Sequence, residues 1–555
     1  MSEGNGTGRG GFATQLGFIF AAAGSAVGLG NIWKFPYITG DNGGGAFVLV
    51  YLVCILLVGL PLMYAELIIG RRGGKNVLGG LLKLTGHRGE GARDLSSFAG
   101  GMAVMAGFLI LSFYSVVAGW AIHFFFVSLE LIERAEGGAA ETFGAVAGSP
   151  LLSSVWHTVF MLMTIVVVAR GVHKGIERLC LRLMPALVGI LLILLVYVGF
   201  TGGLGESLTF LFKPDWEKLT GESVLEALGH AFFTLSLGMG AMVTYGSYLG
   251  SDRNVVRDGL LVAILDTFIA LLAGAVIFAV VFSGGGEPAM GPGLVFKTLP
   301  DLFVTMPGGM LVAAAFFLLL VFAAWSSAVS LLEVVVAWLV DEQGIARSRA
   351  TWGVGALIWL VGLAAARWEA VLGFLDGLTT NFMLPIGGLC VAIAAGWLLK
   401  REDREAGFLG LGAASWLAPL WTVLIRFVTP LLIIGVIGFK VGLIEFDTKK
   451  SADDDSSAET AEAAPAEGPT STKDDEVKAK AYVGAEEVFA EAQTLLGKLP
   501  GNADLLDPIL ETLSKAKIIL SDLPADERPD WYPKLDVMMA EAEEIAKEAA
   551  NDRPE

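Results

Sequence analysis

Gly24-Ser25-Ala26-Val27-Gly28-Leu29-Gly30-Asn31-Ile32-Trp33-Lys34-Phe35-Pro36 interrupts the first long apolar run of this chain. Glycine weakens a helix and proline removes one of its hydrogen bonds. In hydrocarbon, each backbone group freed in this way must find another partner. A lipid-facing helix has no use for such a stretch. A site lined by protein does.

The run that carries it is one of many. A spanning helix needs about 20 apolar residues, and the sequence has eleven candidate runs, near 14–39, 44–70, 98–130, 151–170, 180–202, 225–250, 259–283, 307–340, 350–367, 370–399 and 415–444. With 54% hydrophobic residues, the chain reads as an all-α, polytopic membrane protein embedded in a lipid bilayer. No basic region and cleavage site precede the first run, so it is expected to be retained. Arg71, Arg72, Lys75, Lys83, Arg88 and Arg93 follow the second run, and Arg170, Lys174, Arg178 and Arg182 follow the fourth. Arg253 and Arg257 follow the sixth, while Arg347, Arg349, Lys400, Arg401 and Arg404 fall in later even-numbered connections. Odd-numbered connections are richer in acid, with Glu130, Glu133, Glu136 and Glu141 after the third. The positive-inside rule therefore predicts a cytoplasmic N-terminus in the cell (inner) membrane and a C-terminus on the opposite side.

Composition changes after Phe446. Residues 447–475 form a polar, acidic linker rich in Ser, Ala and Pro. Helical apolar spacing returns within 476–555, which reads as a small soluble helical domain on the non-cytoplasmic side, its partner unknown. From 447 onward there are 27 acidic and 12 basic residues, a net of −15 out of −18 for the whole chain. The acidity belongs to the tail, and residues 1–446 form the membrane domain. No nucleic-acid partner is expected. Cys54, Cys180 and Cys390 make no metal-ligand spacing and no disulfide framework; they read as small apolar residues.

A second interruption, Phe233-Thr234-Leu235-Ser236-Leu237-Gly238-Met239-Gly240, lies in the sixth run. Five helices separate the two breaks, and an odd number inverts a second copy of a five-helix unit. Paired breaks in corresponding positions of two halves point to a transporter's midplane site. Exposed amides there attract an anion, and exposed carbonyls can replace the water around a cation. Close packing through the Gly24–Gly28 small-xxx-small spacing is the competing reading. Asn31 and Thr234 beside the breaks favour the site.

These motifs are similar to those of the neurotransmitter:sodium symporter family. The first-helix stretch continues into Asp41-Asn42-Gly43-Gly44-Gly45-Ala46-Phe47. Further matches follow in order: Gly59-Leu60-Pro61-Leu62-Met63-Tyr64-Ala65-Glu66, the sixth-run motif, and Phe322-Ala323-Ala324-Trp325-Ser326-Ser327. The resemblance covers about residues 9–444 and is closest to the bacterial, leucine-transporter-like amino-acid branch. It implies eleven transmembrane helices in a five-plus-five inverted repeat with broken first and sixth helices. The implied function is sodium-coupled symport of amino acids into the cell by alternating access, without enzymatic chemistry. Neither H-E-x-x-H nor G-x-S-x-G is present, which argues against a membrane hydrolase. An amino-acid sensor signalling through the C-terminal domain is the alternative.

The resemblance also implies roles for residues. Two sodium ions would be held, one by Ala26, Asn31, Thr234, Asp266 and the substrate carboxylate. The other would lie among Gly24, Val27, Ala323, Ser326 and Ser327. The two serines, taken alone, would read as helix back-bonders. The substrate carboxylate would meet Leu29, Gly30 and Tyr114, and its ammonium would meet Ala26, Phe233, Thr234 and Ser236. Ile110, Tyr114, Phe233, Met239, Ser327 and Leu331 would line the side-chain pocket, whose apolar character suits a hydrophobic or aromatic substrate. Biogenic-amine members carry an aspartate where this chain has Gly28, so an amino acid is implied. Lys34 stands where the family has an arginine at its outer gate. Asp376 is its partner in this reading, with a solvated surface charge as the other. The inner gate would pair Arg9 with Asp341, near Phe12. Glu66 would brace an interrupted helix. His230, in place of the usual glutamine, reads as a satisfied polar wall residue, with proton coupling as the alternative. Chloride is not expected to be required. The family's anion-site positions would be Tyr51, His230, Thr234, Asp266 and Ala270, where Asp266 brings a fixed charge and Ala270 lacks a donor.

Overall fold

The structure is a computed structural model that describes residues 11–135, 138–250, 253–286, 288, 293–408 and 416–443. Arg9, the linker and the tail domain lie outside these residues. Among the described residues the regular structure is helical. In chain order the elements are α1 (Gln15–Ala26), α2 (Phe35–Asp41), α3 (Gly45–Gly73), α4 (Val77–Thr85), α5 (Glu90–Ser128), α6 (Ala139–Ala147), α7 (Pro150–Ala169) and α8 (Val172–Thr201). There follow α9 (Leu204–Phe212), α10 (Gly221–Thr234), α11 (Ala241–Gly246), α12 (Val255–Ser283), α13 (Leu299–Thr305), α14 (Gly309–Glu342), α15 (Arg347–Arg367), α16 (Glu369–Leu398), α17 (Arg401–Ala406) and α18 (Leu417–Lys440).

Nine described helices are long and apolar enough to cross a membrane, and the bent pair α1–α2 makes ten. The sequence predicts eleven. The remaining run divides into α10, of 14 residues, and α11, of 6, each too short to span alone. The small connecting helices α4, α6, α9 and α13 carry no run of their own in the sequence.

α1 is the helix around which the others are arranged. Ala21, Ala22, Ala23, Gly24, Ser25 and Ala26 are all buried, so protein surrounds every face of its last turns. Their small side chains let neighbouring backbones approach. α1 packs on α8, α12 and α14, and the most extensive helix contact of the fold joins α14 to α5. At the start of α1, Thr14 caps the helix by accepting from Gly17 N at 2.9 Å. The Glu177 carboxylate accepts from Ala13 N at 2.8 Å and Thr14 N at 3.0 Å, tying this end of α1 to the first turn of α8. Outer faces present Ile193, Val196 and Phe200 of α8 and Leu431 and Ile434 of α18, as helices surrounded by lipid do.

Candidate functional site

The two breaks face each other. After Ala26 the chain turns extended at Val27 (ψ 109°), winds through a wide π-helical turn over Gly30–Lys34, and continues as α2 at 49° to α1. α10 ends at Thr234. Ser236 then takes φ 54°, and Gly238 and Gly240 take 79° and 75°. Positive φ is free for glycine but strained for serine, and such strain gathers at functional positions. Ser236 Oγ donates to Ser25 O at 2.7 Å, which joins one break to the other. Glu66, fully buried, accepts from Gly238 N at 2.7 Å and so braces the second break as the sequence suggests.

Ten of the eleven residues proposed for the substrate line one cavity here: Ala26, Leu29, Gly30, Ile110, Tyr114, Phe233, Ser236, Met239, Ser327 and Leu331. Thr234 stands behind this wall, and Ser25 and Gly28 complete it. Leu29 N lies 3.1 Å from Tyr114 Oη, so a helix-end amide and a phenol converge where an anionic group could accept from both. A Cβ at residue 28 would come within 2.5 Å of Ser327 Oγ and 2.8 Å of Tyr114 Oη. Only glycine fits that position without displacing both.

Oxygen atoms gather on either side of this cavity. Ser327 Oγ lies 3.2 Å from Gly24 O, 3.0 Å from Ser25 O and 3.1 Å from Val27 O. A hydroxyl has one proton, so it can satisfy one of these three carbonyls at a time. Ser326 behaves differently: it back-bonds along its own helix to Phe322 O and Ala323 O. The cradle of neutral oxygens fits a hard monovalent cation. Across the cavity, the fully buried Asp266 accepts from Asn31 Nδ2 at 2.8 Å and from Thr234 Oγ1 at 3.1 Å. The Asn31 side-chain oxygen meanwhile accepts from Gly28 N at 3.0 Å. Among the described residues no cluster of three or more His, Cys, Asp or Glu has the form of a transition-metal site.

His230 departs from expectation. It is buried between the Phe35 and Tyr51 rings, at 5.9 and 5.4 Å, and neither ring nitrogen has a hydrogen-bond partner among the described residues. It is a buried residue that does not line the cavity, and its polar atoms are not satisfied among the described residues. Tyr51 Oη likewise has no partner there, and Ala270 is fully buried.

At the outer gate, Lys34 and Asp376 take other partners. Lys34 holds its ammonium 4.9 Å from the centre of the Phe233 ring, a cation–π contact. Among the described residues no ion pair joins Lys34 to Asp376, which accepts from Thr380 Oγ1 at 2.9 Å. Asp341 accepts from Asn76 N at 2.7 Å and Asn76 Nδ2 at 3.0 Å. Phe12 packs edge-on against Phe18, Tyr245 and Tyr248, with ring centroids 5.5–6.2 Å apart.

The end of α14 near the start of α15 holds a network that the sequence reading missed. Glu333 of α14 is fully buried, accepts from Tyr248 Oη at 2.5 Å, and takes both arms of Arg347. Arg347 Nε also donates to Val168 O at 3.1 Å, so one cluster binds α14 to α7, to the start of α15 and to the segment after α11. An acid inside a 34-residue apolar helix was the available signal, because a charge there requires a partner.

The profile of the sodium:neurotransmitter symporter family matches residues 9–133 and 150–452. An uncharacterized sodium-dependent transporter of Bacillus subtilis, YhdH, is 38% identical over 452 residues, covering 78% of this chain and 98% of that protein. One from Haemophilus influenzae is 30% identical, covering 76% of this chain and 96% of that protein. The crystal structure of MhsT in complex with L-phenylalanine is similar with a TM-score of 0.71 and 43% identity, over 77% of this chain and 99% of that one.

Proposed function

The chain belongs to the sodium:neurotransmitter symporter family, and on that premise we propose that it carries amino acids with hydrophobic or aromatic side chains into the cell, coupled to sodium. The observation that carries this reading is the meeting of Leu29 N and Tyr114 Oη beside a residue 28 with no room for a side chain. Two donors suit the substrate's own carboxylate, and an acid at position 28 to hold a bare amine would not fit. The apolar walls from Ile110, Phe233, Met239 and Leu331 set the side-chain preference. The solved relative holds L-phenylalanine.

In this reading one sodium ion is held by Gly24, Val27, Ala323, Ser326 and Ser327. The other is held by Ala26, Asn31, Thr234 and Asp266 with the substrate carboxylate. In that second site the Asn31 side-chain oxygen, which accepts from Gly28 N, keeps a second lone pair for the ion. Asp266 supplies the negative charge that makes chloride unnecessary. The two breaks belong to an inverted five-plus-five repeat, α10–α11 completing eleven spans, and alternating access moves α1 against the scaffold of α5 and α14. The cytoplasmic face is the one bearing Arg71, Arg72 and Arg347. A panel of the twenty amino acids, tested for binding to purified protein in sodium and in choline, examines the proposal. Selective sodium-dependent binding of apolar amino acids is expected. Sodium-independent binding, or none for any apolar member, overturns it.

A further inference from the structure

Three guanidinium groups meet at the C-terminal end of α16, far from the central cavity in sequence and role. Arg426 Nε donates to Gly396 O at 2.6 Å, and Arg404 Nη1 donates to the same oxygen at 3.2 Å. Arg404 Nη1 also lies 3.1 Å from Leu399 O, and Arg88 Nε lies 3.1 Å from Leu398 O. Like charges gathered on one helix end repel one another. The partial negative charge of that end, about half a unit, cannot neutralise three cations.

Among the described residues no ion pair compensates them, and Glu405, the acid that acts on Arg404, is itself paired. Asp403 is taken by Arg72 at 2.6 Å and Glu405 by Arg401 at 2.6 Å. Glu402 is exposed, and among the described residues none of the three arginines forms an ion pair with it or with any other carboxylate. The neighbouring 409–415 holds no charged residue in its sequence. Arg404, in the connection between spans, has its pKa held below the ordinary guanidinium value, first by burial and then by the charges of Arg426 and Arg88.

The surroundings are those of a membrane boundary. The Arg426 guanidinium lies 5.3 Å from the Trp397 ring, which is 49% exposed and meets the 57%-exposed Phe427 edge-on at 5.6 Å. Phe427, Leu431 and Ile434 are exposed at helical spacing along α18, forming an apolar lane that runs from Arg426 away from the connection carrying Arg404. Indole rings favour the headgroup level, and an arginine fork matches phosphate with paired donors.

We propose that Arg88, Arg404 and Arg426 form a seat for the phosphate of an anionic phospholipid, its acyl chain lying along Phe427, Leu431 and Ile434. An anionic headgroup is required because a choline lipid brings its own cation and leaves the excess positive charge unchanged. Basic groups on the cytoplasmic face attract such lipids in general.

The test uses the full-length protein in nanodiscs of equal phosphatidylglycerol and phosphatidylcholine, released gently and weighed intact by native mass spectrometry. Wild type should keep phosphatidylglycerol over phosphatidylcholine by about tenfold, the worth of one charge-assisted hydrogen bond. Arg404→Gln with Arg426→Gln should abolish the preference. Equal retention by wild type, or a preference that survives the double substitution, overturns the proposal. Should that variant fail to assemble, Arg88→Gln takes its place, and an undiminished preference overturns the proposal equally. Excess inorganic phosphate added to wild type should leave the bound lipid in place; its displacement would assign the seat to a free anion instead.

Discussion

Replacing Ser327 by alanine removes the one hydroxyl that stands within 3.2 Å of three carbonyls. Without sodium, the loss is one neutral hydrogen bond, worth about 0.5–1.5 kcal/mol. With sodium bound, it is a contact to a charged group, worth about 1.5–3 kcal/mol. Binding reports the difference between these states, about 1–1.5 kcal/mol, so sodium affinity should fall by about five- to tenfold. Ser326→Ala should weaken sodium less, because Ser326 already points back along its own helix. The assay is a sodium titration of substrate binding at fixed substrate concentration, with total binding sites quantified for each variant. A sodium midpoint unchanged within twofold for Ser327→Ala would remove this hydroxyl from the ion site.

Other outcomes follow from the same geometry. Met239→Trp should lower affinity for bulky substrates while sparing small ones, because overfilling a packed wall costs about 1–3 kcal/mol; competition binding across a size series checks this. Uptake should be unchanged when gluconate replaces chloride, whereas Asp266→Asn should weaken sodium binding, and adding Ala270→Ser should restore transport only in chloride. Glu333→Ala leaves the buried Arg347 without its carboxylate and should destabilise the protein by about 3–5 kcal/mol, read as a lowered melting temperature in detergent.

Much of this arrangement was legible because glycine, proline and buried polar residues are costly in hydrocarbon. Gly28, Gly30 and Pro36 in the first run, and Ser236, Gly238 and Gly240 in the sixth, mark the breaks beside buried polar residues, whereas glycines and prolines of other spans, such as Gly59, Pro61 and Pro185, leave their helices continuous. Ten substrate positions, carried over by resemblance, line one cavity. Contacts that depend on packing were not legible. Lys34 was assigned an acid, but its stem lies so that the ammonium meets the Phe233 ring. His230 looked like a wall residue with partners, and only the placement of Phe35 and Tyr51 shows a ring enclosed by aromatic carbon. Arg347 served in the sequence as a topological signal. Its pairing with Glu333 depends on where the start of α15 packs against α14, which no spacing encodes. Short helices such as α4 and α9 lack the length for a clear period, and their amphipathic faces are fixed by the spans they cover.

The central claim, that an unwound first helix receives a substrate carboxylate with sodium beside it, has one direct measurement. Binding of the best amino acid from the panel is compared with that of its decarboxylated amine, each in sodium and in choline. The account predicts sodium-dependent binding of the amino acid and at least about tenfold weaker binding of the amine, since one or more charge-assisted contacts are lost. Equal affinity for the two compounds, or equal binding of the amino acid in choline, would contradict it.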